Sequence, residues 1–461
     1  MNHVVVHPST DGESQVAIDW IEAYRESVDC TVERIAFADS QQWYFDQDKS
    51  ALRHRSGKFF AIQGYQATLD GNTTHYQPLI NQPEIGTQGF IVRRNGSDFD
   101  VLIQTRTEPG NIGVVQIGPT IQATFSNYTA VHGGKKPLFL DTFHHPERHG
   151  ATVLVDTTQP ELGTKFLKKW NRNMVIEVPD LDFSHPMFKW ISLSALTRLM
   201  KIDHLVNNDA RLVVGLLLLD QAGPLYAASP SPLTRSVCDS FLSPSSSTFG
   251  TVAEAQDWLN RLRLQRGLQV QVKSLNDLPG WEIGHDRVQH TAARFFSVIQ
   301  VRVHAADREV TDWDQPLIAA DHKAEVTLLC KTIDGVLNLL FRAENQIGNA
   351  NGVQLQPTIC FDNEGNDTVV GAVSELLSQS HPLEQFQMEA SDEGGRFYQC
   401  ISRYKVLWLS GQANTALPDH YCWLTLGQIR QLIQNTDSIS DESRSILSLF
   451  LASAFSNSML S

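Results

Sequence analysis

The sequence predicts an α+β protein made of two copies of one module, each a mixed β-sheet flanked by helices. Three observations predict it. The length of 461 residues exceeds what one ordinary core accommodates. The chain also repeats itself at a fixed spacing, and each repeat runs from a helical pattern through alternating strands to a second helical pattern. Asp19-Trp20 returns as Asp257-Trp258, Trp43 as Trp281, and Gln77-Pro78-Leu79-Ile80 as Gln315-Pro316-Leu317-Ile318, all 238 residues apart. Gly110-Asn111 returns as Gly348-Asn349 and Pro119-Thr120-Ile121 as Pro357-Thr358-Ile359 at the same spacing. A co-registered tetrapeptide has chance odds on the order of one in 10⁵, and several blocks multiply them.

In chain order, residues 14–27 carry the first helical pattern. Apolar or alternating runs bounded by Gly, Asn and Pro follow at 59–64, 89–93, 99–106, 114–117 and 153–156 and read as strands. Residues 192–201 form an amphipathic helix, and 212–219 are an apolar run too short to span a bilayer, hence a buried segment. Residues 229–250, rich in Ser and Pro, read as an exposed linker between an N-terminal module, 1–228, and a C-terminal one, 251–461. The second copy opens with a helix at 251–266, where Thr251 and Glu254 have capping-box spacing, and closes with one at 425–434.

Lys and Arg total 37 against 51 Asp and Glu, a formal charge of −14. That balance argues against nucleic acid or anionic membrane as a partner, while leaving room for a local basic pocket that takes a small anion. The six cysteines are scattered without ligand-like spacing, and the N-terminus lacks the basic and apolar blocks of a signal peptide. A cytoplasmic protein with reduced thiols is the expectation.

The phosphate-binding fingerprints of dinucleotide and P-loop folds are missing, as are the nucleophile elbow and the zinc helix. Polar residues of the first copy gather instead in three places: 81–86, 108–111, and 122–128 with His132. Pro109-Gly110 forces a turn that sets Glu108 at a strand end, where a carboxylate can face a cleft. Downstream, Glu161, Lys165 and Arg172 add a carboxylate and cations suited to diphosphate oxygens. The run His144-His145-Pro146-Glu147-Arg148-His149 reads as a surface loop, and no metal is expected. Trp190 and Trp423, at equivalent positions before an apolar helix, read as packing residues.

The blocks Gln82-Pro83-Glu84-Ile85-Gly86, Glu108-Pro109-Gly110-Asn111, Gly118-Pro119-Thr120-Ile121-Gln122-Ala123-Thr124, Ser126-Asn127-Tyr128-Thr129, His132-Gly133-Gly134 and Asn171-Arg172-Asn173-Met174 together resemble the NDP-hexose 2,3-dehydratases of deoxysugar pathways. The resemblance is densest from Trp43 to Arg211. It implies two modules of Nudix-like fold, a homodimer, and a thymidine-diphosphate 4-keto-6-deoxyhexose as substrate. No Nudix box is present, so diphosphate hydrolysis does not follow from that fold.

The C4 ketone of such a substrate acidifies the C3 hydrogen, so a base can remove it and the enolate can expel the C2 hydroxyl without any cofactor. Glu108 and His132 are the candidate acid/base pair, with Tyr128 as a catalytic donor and Asn127 or Asn111 contacting sugar oxygens. Arg106, Lys165 and Arg172 are assigned to the diphosphate and Trp43 to the base. Glu84, Gln116, Thr120, Gln122, Ser126 and Glu161 complete the candidate substrate-binding set. In the second copy Gln346 stands where Glu108 does, so that copy reads as structural or as binding without reacting. Two further readings stay open: a non-catalytic nucleotide-sugar binder, and an epimerase working on the same C3 hydrogen.

Overall fold

The computed structural model describes residues 11–69, 72–124, 136–221, 231–308, 310–320, 322–349, 351–361, 371–410, 415–435 and 437–458. It is mixed α+β, with four sheets, three of them containing both parallel and antiparallel pairs.

The first helix, Gly12–Ser27, starts where Asp11 accepts the Ser14 N–H and buries Ala17, Ile18 and Ile21. The next strand, Cys30–Ile35, does not join its sequence neighbours. It pairs antiparallel with Ser297–Ala305, deep in the second half. Reciprocally, Leu268–Lys273 pairs with Ala61–Leu69 of the first half. Each half therefore completes its smaller sheet with a strand from the other. The larger sheet of each half has seven strands: one is built on Gly86–Asn95 and Asp98–Thr107, the other on Ala324–Ile333 and Val336–Asn345.

Contacts recur in matched pairs across the halves. Trp43 Nε1 donates to the Asp314 carbonyl and Trp281 Nε1 to the Tyr76 carbonyl, each at 2.8 Å. Thr120 Oγ1 donates to the Leu102 carbonyl as Thr358 Oγ1 does to Leu340, each at 2.5 Å. One continuous core runs between the large sheets, with the helices Asn208–Asp220 and Asp441–Ser458 at its centre. These two lie so close that a Cβ on Gly215 would stand 2.6 Å from Ser448 Cβ, which explains glycine facing a serine there.

The helices expected at 14–27, 192–201, 251–266 and 425–434 are Gly12–Ser27, Leu193–Leu199, Val252–Gln265 and Leu426–Leu432. The capping box of Thr251 and Glu254 is formed on both sides. The apolar run 212–219 is buried throughout. Trp190 and Trp423 pack half-buried against apolar clusters on strands that lead into the short helices. The segment 229–250 departs from expectation. It contains the helix Pro232–Leu242, with Ser231 as its cap, and Thr234, Val237 and Ser240 form a buried stripe at threefold spacing. Proline at the first helical turn and serine before it are helix-start signals as much as linker composition.

Candidate active site

A cavity of about 210 Å³ opens at the seam where the halves exchange strands, and residues of both line it.

Glu108 is one of them. The strand Asp98–Thr107 ends just before it, and Pro109-Gly110 turns the chain against the loop that precedes Phe397–Tyr398. The Gly110 N–H donates to the Gly394 carbonyl and the Gln399 N–H to the Gly110 carbonyl, each at 2.8 Å. A Cβ on Gly110 would lie 1.7 Å from the Phe397 carbonyl oxygen, so only glycine permits this approach. Glu108 is 3% exposed, and its Oε1 accepts from Arg106 Nε and Gln122 Nε2, both at 3.0 Å. Among the described residues Oε2 has no hydrogen-bond partner. Gln122 is itself oriented by Asn207 Nδ2 at 3.1 Å.

Glu161, Asp209 and Glu393, which interact electrostatically with Glu108 or with one another, share the cavity lining with it, and Asp314 lies further along the lining. Desolvation, with the neighbouring charge of Glu108 second and Arg396 opposing, pushes Glu393 up to about 7. Asp209 is raised well above the usual carboxylate range by burial and then by Glu393, Glu161 and Glu108. Lys169 is depressed to about 8, chiefly by burial, although Glu161 and Glu84 act the other way, and its Nζ donates to the Glu84 carbonyl. The cavity thus holds Glu108, paired with Arg106, beside two carboxyls, Glu393 and Asp209, that are pushed toward the neutral form, an arrangement in which acid and base roles can separate within one site.

One wall is aromatic. Trp43 packs against Phe60 with ring centroids 4.7 Å apart and against His54 at 5.3 Å, and the Arg396 guanidinium lies 4.2 Å over Phe60. Arg308 and Trp313 join the lining from the second half.

Of the residues singled out in the sequence, Trp43, Arg106, Glu108, Gln122 and Glu161 line the cavity. Others lie outside its lining for visible reasons. Gln116 is buried and donates to Ser391 Oγ, while Thr120 accepts the Ile91 N–H besides its bond to Leu102, so both serve the sheet interior. Asn111 ties its own turn through the Arg106 and Val114 carbonyls. Glu84 accepts from Gln82 Nε2. Lys165 sits over Phe296, and Arg172 makes a two-point pair with Asp156 at 2.8 and 2.7 Å. Ser126, Asn127, Tyr128 and His132 fall outside the described residues.

Sequence reasoning missed Asp209, Lys169, Arg308, Glu393 and Arg396. One signal was present: Gly394-Gly395-Arg396-Phe397 stands 231 residues after Gly163-Thr164-Lys165-Phe166, so Arg396 is the counterpart of Lys165. The strand exchange puts each cation over the other half's phenylalanine. At the turn matching Glu108, the Gln346 amide donates to Glu442 at 2.8 Å. Among the described residues no group of three or more His, Cys, Asp or Glu side chains is arranged to hold a metal, and no helix is long and apolar enough to cross a membrane.

Comparison with known proteins gives one consistent family. The family model described as NDP-hexose 2,3-dehydratase matches residues 14–217 and again 252–450. A dTDP-4-dehydro-6-deoxy-alpha-D-glucopyranose 2,3-dehydratase of Saccharopolyspora spinosa is 32% identical over 90% of this chain and 86% of its own. A protein of the same name from Amycolatopsis orientalis is also 32% identical, over 97% of this chain and 92% of its own. Among solved structures, an ADP compounds hydrolase aligns with 33% of this chain and 83% of its own at 13% identity, with a TM-score of 0.23.

Proposed function

Because the chain belongs to the NDP-hexose 2,3-dehydratase family, we propose that its cavity takes thymidine-diphosphate 4-keto-6-deoxy-D-glucose and eliminates water across C2 and C3. The observation that carries this reading is Glu108: a carboxyl group lining the cavity, with one oxygen held by Arg106 and Gln122 and the other buried and unpartnered among the described residues. An oxygen so placed accepts the C3 proton, whose acidity comes from the C4 ketone. The electrons pass into the enolate, then form the C2–C3 double bond as the C2–O bond breaks. The resulting enol tautomerises to a 3,4-diketo-2,6-dideoxy sugar. The net change is redox-neutral, so no hydride carrier takes part.

In this reading Arg308 and Arg396 supply cations for the diphosphate, the Trp43 and Phe60 wall takes the base, and Lys169 serves the developing C4 oxyanion. The assignments of Tyr128, Ser126, Asn127 and His132 to the sugar carry over from the family resemblance alone.

The matched contacts across the halves, and the double match of the family model, support a duplication. A Nudix-like fold for each module carries over from the family resemblance, and one productive cavity per chain from Gln346 standing where Glu108 does. A homodimer follows from the same resemblance. A cytoplasmic location agrees with the six free thiols.

The test is incubation of the purified protein with the 4-keto substrate, without added cofactor, followed by mass spectrometry. Loss of one water is expected. Tight binding with unchanged mass overturns the dehydratase reading.

A further inference from the structure

Resting on that reading, we infer that Glu393, contributed by the second half, is the general acid that protonates the departing C2 hydroxyl, working opposite Glu108 as base. The geometry begins with the backbone. The turn carrying Glu108 and the loop carrying Glu393 are hydrogen-bonded to each other through Gly110 and Gly394, so the two carboxyls enter one cavity from adjoining turns. The contact is close: a Cβ on Gly394 would fall 2.1 Å from Asn111 Oδ1.

The loop is fixed from the other side as well. Gln315 Nε2 donates to the Gly395 carbonyl at 2.7 Å, Arg396 Nε donates to Gln82 Oε1 at 3.1 Å, and the Gly395 N–H donates to Glu393 Oε1 at 2.9 Å. Both Glu393 and Asp209 line the cavity, but Glu393 is carried on the loop hydrogen-bonded to the Glu108 turn, whereas Asp209 belongs to a core helix. Glu393 is thus the carboxyl that the fold delivers beside Glu108. The first half has Leu162 in the equivalent position, which cannot transfer a proton.

The groups acting on Glu393 are Glu108, Glu161 and Asp209, which favour its protonated form, and Arg396 and Lys169, which oppose it. Desolvation tips the balance and pushes the carboxyl up to about 7, so a large fraction holds a proton at neutral pH. In the step itself the C3–H bond breaks and its proton goes to Glu108. The electron pair forms C2=C3, and the C2–O bond breaks as Glu393 gives its proton to the oxygen, releasing water. The proton on Glu108 and the deficit on Glu393 are then reset through solvent.

The experiment compares wild type and Glu393→Gln in heavy water on two substrates: the natural sugar and its 2-deoxy-2-fluoro analogue, whose fluoride leaves without protonation. Water loss by Glu393→Gln is expected to fall about 100-fold or more, the contribution typical of a general acid. Deuterium entry at C3 persists, and fluoride release stays within about threefold of wild type. Water loss at the wild-type rate, or equal collapse of water loss, exchange and fluoride release, overturns the assignment.

A second measurement needs no variant. The wild-type rate of water loss should decline above about pH 7, and fluoride release should not. The same alkaline limb on both substrates refutes the role of Glu393. Failure of wild type to eliminate anything refutes instead the function on which the inference rests.

Discussion

Substituting alanine for Gly110 tests whether the seam between the halves is part of the catalytic apparatus. The added Cβ would lie 1.7 Å from the Phe397 carbonyl oxygen and 2.7 Å from that of Gly394, against a closest tolerable approach near 3.0 Å. The loop 393–397 must therefore retreat by about 1.3 Å, or the Glu108 turn must. Either movement strains two backbone hydrogen bonds of 2.8 Å, each contributing about 1 kcal/mol, on top of about 1–3 kcal/mol for overpacking. The expected loss of stability is about 3–5 kcal/mol, and a displacement of that size at reacting groups lowers kcat on the order of 100-fold.

Urea unfolding and steady-state kinetics measure both. Gly215→Ala is the control, because its Cβ would stand 2.6 Å from Ser448 Cβ, a milder clash in the core, and touches nothing in the cavity lining. It should lose stability and keep kcat. A folded Gly110→Ala protein with wild-type kcat would refute the argument.

Other outcomes follow from the same contacts. Arg106→Met leaves the buried Glu108 carboxylate without its cation and should cost about 3–5 kcal/mol in urea unfolding, with most of it recovered when Glu108→Gln is added. Arg172→Ala should change stability by less than about 1 kcal/mol and leave kcat/KM nearly untouched, since Arg172 pairs with Asp156 at a side-chain exposure of 35%. Arg396→Ala should raise KM about tenfold while Lys165→Ala, over the other phenylalanine, leaves it near wild type. Because Glu393 is raised to about 7 from the ordinary 4.5, the native state holds a proton that the unfolded chain has lost, so this group's contribution to stability falls as pH rises through that window. The melting temperature of Glu393→Gln relative to wild type should accordingly increase between pH 4.5 and 8, measured by calorimetry.

Local chemistry was legible and long-range pairing was not. The Glu108 turn, the Thr251 cap and the buried run 212–219 depend on neighbours in sequence, and each stands as expected. Strand alternation shows which face of a strand is buried but not which strand lies beside it. The exchange of Cys30–Ile35 and Leu268–Lys273 between halves therefore stayed hidden, and with it the delivery of Glu393 and Arg396 to the Glu108 cavity.

Register hid Arg172 as well. It is paired opposite Thr158, so Asp156 is its diagonal neighbour on the adjacent strand, a relation visible only once the strands are aligned. Gln116 and Thr120 misled for another reason. Polar side chains inside a sheet satisfy buried backbone and side-chain groups as readily as they contact a ligand.

The most direct test of the account is turnover by Glu108→Gln in heavy water, with binding of the 4-keto nucleotide sugar verified in the same sample. The account predicts a bound sugar that neither loses water nor takes up deuterium at C3, because the matching turn of the second half carries Gln346, whose amide cannot serve as that base. Water loss at the wild-type rate would place the chemistry elsewhere and contradict it.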